Sequence, residues 1–317
     1  MPNFAGFVAS DFEAYAPKKW KSNVFTRERL EVKQKLIALG RHLESKLVAT
    51  DGSLLFAEPS VEYPALWNHK QVEAQHLYFS RNEGARKELD AIIDRQHSLA
   101  SMIDDPTPQR NHVFLAISVG HESIDMALKL HPDAQIDRQN WQRKCEDHFE
   151  REKFLSTVQA LGEAFRAGVM PEIAAASAFD DNQFAHALTK LGKSELTLPG
   201  TPPKLFYVGR AVPMASALQE GPALTTLAER TFAALLPLYR FIAWSRDNDF
   251  VSIRETLQKE KQAKRQKGLS KNDSVRIVRG MFAGKAGVVQ EVDAKGGLKV
   301  LVGKMAVKVD VEDVTKS

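Results

Sequence analysis

Residues Val275–Val289 read VRIVRGMFAGKAGVV. Val275 and Ile277 alternate with Arg276, the pattern of a half-buried strand. Gly280 and Gly284 interrupt it as turn residues do, and Gly287 precedes a second apolar run at Val288 and Val289. Past this stretch Val292 resumes the pattern, and Asp293–Gly297 (DAKGG) predicts a turn. Leu298, Val300 and Val302 alternate, Gly303–Ala306 (GKMA) predicts another turn, and Val307, Val309 and Val311 alternate before Val314. Four or five strands of this length predict a small antiparallel barrel over residues 269–317, because closure leaves few exposed edges.

The alternating residues, the aromatic Phe282 in the loop and the glycines Gly280, Gly284 and Gly287 resemble the KOW motif. Glu291-Val292-Asp293, Lys299-Val300 and the final VKVDVEDV extend the likeness to the C-terminal domain of NusG-type transcription factors; large-subunit ribosomal proteins carry a related barrel. The resemblance implies an SH3-like fold with RNA, the ribosome or RNA polymerase components as partners. It implies structural roles for the three glycines. At Gly287 a side chain would collide, or the backbone needs positive φ. The longer loop that precedes the final strand in that family, with its phenylalanine-glycine-arginine tip, is only GKMA here. That loop's protein contacts are therefore not implied. Residues 1–250 show no likeness to the NusG N-terminal domain.

Charge follows the same division. The chain of 317 residues carries 44 Lys+Arg and 40 Asp+Glu, net +4. Residues 251–317 hold 15 basic and 8 acidic side chains, net +7, so residues 1–250 are net −3. Within the tail, residues 251–287 hold 10 basic and 3 acidic, which concentrates the positive field ahead of and inside the first hairpin. Lys259, Lys261, Lys264, Arg265 and Lys267 fall in 251–268, a segment that loses its apolar anchors after Leu257 and reads as a basic helical linker ending at Gly268. Arg276, Arg279 and Lys285 surround Phe282. Together these cations and the aromatic suit phosphates and a stacked base. They suit an acidic protein loop as well. The bland alternative has Phe282 capping the barrel end and the cations keeping an edge soluble. With 5 to 8 phosphate contacts the salt slope on duplex would be roughly −5 to −7.

Residues 1–250 predict a helix-rich α/β or α+β domain. Helices are expected at 26–49 with Thr26 as N-cap, and at 83–103, 121–130, 138–167 and 222–246, the last kinked at Pro237. Strands are expected at 71–81, 111–119 and 204–212. Cys145 is the one cysteine. It excludes an intramolecular disulfide and, with no signal sequence or membrane-spanning run in view, predicts a cytoplasmic protein.

Candidate chemistry in this region is thin. Cys145 and His148 lie three apart on an expected helix, but no third group accompanies them. His131, Asp133 and Asp137 match no metal-ligand spacing, nor do His69 and His76. No phosphate-binding glycine loop appears. Trp67–Lys70, His76–Phe79 and Ser80-Arg81-Asn82 are the best place for a pocket, and a core-and-turn role competes with that. Neither cofactor nor metal is expected, and no catalytic residue is assigned. Three functions remain: a nucleic-acid- or ribosome-associated binding protein, which the residues favour; an unrecognised enzyme targeted by the barrel; and a protein-only scaffold.

Overall fold

The computed structural model describes residues 4–65, 68, 70–93, 110–192, 204–252, 270–292, 297–310 and 313–316. The chain divides into two units, Met1–Val251 and Ser252–Ser317.

The first unit is built on a seven-stranded sheet. Its strands are β1 (Phe56–Pro59), β2 (Ala74–Ser80), β3 (Phe114–Gly120), β4 (Ser123–Leu130), β5 (Arg166–Val169), β6 (Glu172–Ala175) and β7 (Phe206–Pro213), in the order β1-β2-β3-β4-β7-β5-β6. Every neighbouring pair is antiparallel. This is an α+β arrangement rather than α/β, since none of the paired strands runs parallel as the strands of βαβ units do. One face is apolar: Leu77, Phe79, Leu115, Ile117, Val119, Ile124, Met126, Leu128 and Val208 are buried. Helices α1 (Ala9–Glu13), α2 (Thr26–Glu44), α3 (Glu83–Ile93), α4 (Gln135–Lys144), α5 (His148–Gln159), α6 (Asp181–Gly192), α7 (Met214–Glu220) and α8 (Leu224–Ile242) complete the unit. α2 packs on β1 and β2, and α8 on β3, β4 and β7. Gly40 lets α2 sit that close: a Cβ there would lie 2.3 Å from Leu77 Cδ2.

Several expectations are corrected here. Residues 121–130 are not a helix. Ile124, Met126, Leu128 and Leu130 are the buried side of strand β4, joined to β3 through His121 and Glu122 with Val119 paired to Ile124. The Met-Ala-Leu-Lys composition favours a helix, but the period of two decides. The expected helix 138–167 is two helices. Asp147 caps α5, accepting from the Phe149 and Glu150 N–H groups at 2.8 and 3.1 Å, and residues 166–169 are strand β5. Thr26 is the first residue of α2 and not its cap. The carbonyls ahead of α2 are satisfied by buried Arg29, which donates to Lys19 O at 2.7 Å and Ser22 O at 3.3 Å. The helix expected at 222–246 is α8, which covers 224–242, runs through Pro237 and ends before Ala243. Of the helix expected at 83–103, residues 83–93 form α3 and 94–103 lie outside the described residues.

The second unit is a five-stranded antiparallel sheet of β8 (Ser274–Ile277), β9 (Ala286–Val292), β10 (Gly297–Val302), β11 (Met305–Asp310) and β12 (Val314–Lys316), in the order β11-β10-β9-β8-β12. The last strand returns beside the first, with Thr315 opposite Arg276. Among the described residues the five strands form one sheet, and no pairing joins β11 to β12. Val275, Ile277, Val289, Leu298, Val300 and Val314 form its core. The turn expected at Gly303–Ala306 is shorter. Val302 pairs with Met305, leaving Gly303 and Lys304 as a two-residue connection with Gly303 at φ +62°, where such a hairpin needs its glycine. Residues 293–296 of the other expected turn lie outside the described residues. No helix among the described residues is long and apolar enough to cross a membrane.

Candidate functional site

The β8–β9 hairpin of the second unit gathers the described candidate residues. Its loop is tied by backbone hydrogen bonds: Gly284 N–H to Ile277 O at 2.7 Å, Ala283 N–H to Gly280 O at 3.1 Å, Lys285 N–H to Phe282 O at 3.1 Å and Ile277 N–H to Lys285 O at 2.9 Å. Gly280 and Gly284 hold φ of +85° and +83°, so both are required by backbone conformation. Gly287 has a different reason. It lies inside β9, and a Cβ there would meet Leu301 O and Val300 Cγ1 at 2.6 Å; collision, not a bend, selects glycine.

Arg276, Arg279 and Lys285 are all exposed. Arg276 stands on β8 opposite Ala286, and Arg279 and Lys285 flank the turn. None pairs with an acidic side chain among the described residues. Phe282 is placed otherwise than a stacking platform requires: it is half-buried and packs against the unit's core. The exposed apolar side chain of the loop is its neighbour Met281, 94% exposed, with Val278 beside the turn at 45%. Met281 was missed because successive residues of a tight turn diverge, and the sequence does not say which of the two turns inward. Lys261, Lys264, Arg265 and Lys267, with Lys259, lie outside the described residues.

The first unit disperses the other candidates. Cys145 follows α4 and His148 begins α5, so they share no helix face. Burial pushes the Cys145 thiol up to about 12, with the nearby Lys144 and Arg151 charges opposing it. Asp137 is bound to Arg81. His131 sits beside Asp133, which pairs with Arg110. Asn82 caps α3, accepting from the Ala85 N–H at 2.9 Å. Trp67 and His69 lie outside the described residues. Among the described residues no group of three His, Cys, Asp or Glu side chains is arranged to hold a metal ion.

One cluster was legible only after register. On the second face of the large sheet His76, Ser118 and Asp125 lie side by side on β2, β3 and β4, and Lys129 lies opposite Tyr207. His76 Nδ1 is 2.7 Å from Ser118 Oγ, Tyr207 donates to Asp125 Oδ1 at 2.6 Å, and Lys129 Nζ meets Asp125 Oδ2 at 2.8 Å. The row between holds Ala116, Ala127 and Gly209, small enough for the tyrosine and lysine to lie across them. A Cβ at Gly209 would come within 2.4 Å of the Ala127 Cβ. Burial, then the charge of Lys129, lowers the His76 imidazole to about 4, with Asp125 opposing. At neutral pH the ring is uncharged. Both oxygens of Asp125 are engaged within the cluster, so this layer satisfies itself and cements the sheet.

Compared with protein-family models and with curated proteins, the chain matches none.

Proposed function

We propose that the chain is an RNA-binding protein whose second unit, an SH3-like barrel of the KOW kind, docks it on RNA, free or within the ribosome or transcription machinery. The observation that carries this reading is the set of three exposed cations, Arg276, Arg279 and Lys285, on one rigid hairpin with no acidic partner among the described residues. Unneutralised cations on a stiff loop bind phosphates with little ordering cost and release counterions. The return of the final strand beside the first and the glycines at 280, 284 and 287 support the KOW-type fold.

The test compares full-length protein with the R276A/R279A/K285A variant in filter binding to structured RNA across a salt series. The variant should bind more weakly, and its log–log salt slope should be shallower by about 2 to 3. Absence of salt-dependent binding by the native protein, or an unchanged slope in the variant, overturns the reading. Partner capture from a lysate that survives nuclease treatment and is lost in the variant would assign the hairpin to a protein instead.

A further inference from the structure

We propose that Met281 is an apolar wedge that packs against the face of an unpaired RNA base, making the hairpin a reader of bulged or unstacked nucleotides. This rests on the RNA reading above and adds to it the form of RNA recognised. The turn closed between Gly280 O and Ala283 N–H sends Phe282 into the core and Met281 outward. With glycines at positive φ on either side and four backbone bonds across the loop, the methionine is presented on a fixed base. A thioether side chain 94% exposed at the summit of a rigid turn has nothing to gain from water.

The flanking charges select the occupant. Arg279 and Lys285 stand on either side of the tip, with Arg276 behind on β8, and each is exposed. An occupant that complements this surface is anionic at its edges and flat and apolar at its centre. A paired duplex offers the phosphates, but its bases are stacked away. An unpaired nucleotide offers both a phosphate and a free base face, against which apolar side chains insert. Val278, 45% exposed, widens the apolar contact.

Fluorescence anisotropy would measure full-length protein against two labelled RNA hairpins, one with a perfect stem and one with a single-nucleotide bulge. The native chain should prefer the bulged stem by about tenfold. Met281→Ala should erase that preference while leaving perfect-stem affinity and the salt slope unchanged, and Met281→Leu should retain it. A native protein that binds both stems equally, with the expected salt slope, sinks the wedge and leaves the RNA reading standing. So does a M281A variant that keeps the preference. No binding to either RNA sinks both. Because Met281 makes no core contact, unchanged hydrogen exchange in β8–β10 confirms that the variant is folded.

Discussion

Arg81 and Asp137 form a two-pronged ion pair in the interior of the first unit, 5% and 1% exposed. Arg81 Nη1 donates to Asp137 Oδ2 at 2.8 Å, and Nη2 donates to Oδ1 and, at 2.9 Å, to Trp244 O. The carboxylate also accepts the backbone N–H groups of Val113 and Trp244, both at 2.8 Å. The pair thus holds together the end of β2, the entry to β3, helix α4 and the chain leaving α8. Burial alone would raise the Asp137 carboxyl. The charge and hydrogen bonds of Arg81 outweigh it and hold the group below the ordinary carboxylate range, with His112 and the Val113 N–H contributing.

Removing one partner leaves a buried charge uncompensated. Arg81→Met should lower unfolding stability by about 3–5 kcal/mol. The double variant R81M/D137L should lose less than the sum of its single variants. It should still fall short of the native chain, since Val113 and Trp244 would keep unpaired N–H groups. Urea titration of all four proteins gives the cycle, and strict additivity would refute the coupling.

Acid should act on the first unit in two steps. The folded His76 titrates near 4, below the usual 6.5, so the unfolded chain binds the extra proton between those values. Stability therefore falls as pH is lowered from about 6.5 to about 4, with a limiting slope of about 1.4 kcal/mol per pH unit. Below that range, protonation of Asp137, whose folded value is depressed, removes the stability its ion pair supplies above the unfolded value. His76→Gln should flatten the first limb and spare the second. Stability measured at half-unit steps in pH would expose a first limb that persists in the variant.

Gly287→Ala would drive a methyl group into Leu301 O and Val300 Cγ1. Overpacking of this kind costs about 1–3 kcal/mol. A module whose core, among the described residues, is six buried side chains has little stability to spare. Hydrogen exchange of the full chain should show β9 and β10 losing protection while β3 and β4 keep theirs. Equal protection in both forms would show that the strands accommodate the methyl group.

Cys145 should resist thiol reagents in the folded protein, because its burial disfavours the thiolate. Reaction with an aromatic disulfide at pH 8 should be slow until denaturant is added, then complete at one equivalent. Fast reaction of the native chain would place the thiol at the surface.

The elements most legible in the sequence were those whose periodicity acts alone. Val275 and Ile277, Leu298 and Val300 alternate over short runs and became strands β8 and β10. Residues 71–81 and 204–212 likewise became β2 and β7 within a few residues. Residues 123–130 failed because helix-favouring composition and strand periodicity disagreed, and pairing to β3 and β7 on both sides settled the matter. The short strands β1, β5 and β6 went unread, since four residues carry too little pattern to stand out. At the candidate site the cations and glycines were legible, because charge and missing side chains are properties of single residues. Met281 was not, because exposure belongs to the direction of a turn.

By itself, the sequence determined where charge accumulates, which segments alternate, and which positions tolerate no side chain, for each follows from residue type and spacing along one strand or loop. Tertiary structure alone decided that Arg81 meets Asp137 across 56 positions of chain, that His76, Ser118 and Asp125 stand in one row, and that Met281 rather than Phe282 faces outward. Those outcomes depend on register and on competition for a shared core. Such long-range free energies appear only when distant segments are brought into contact, and no local pattern encodes them.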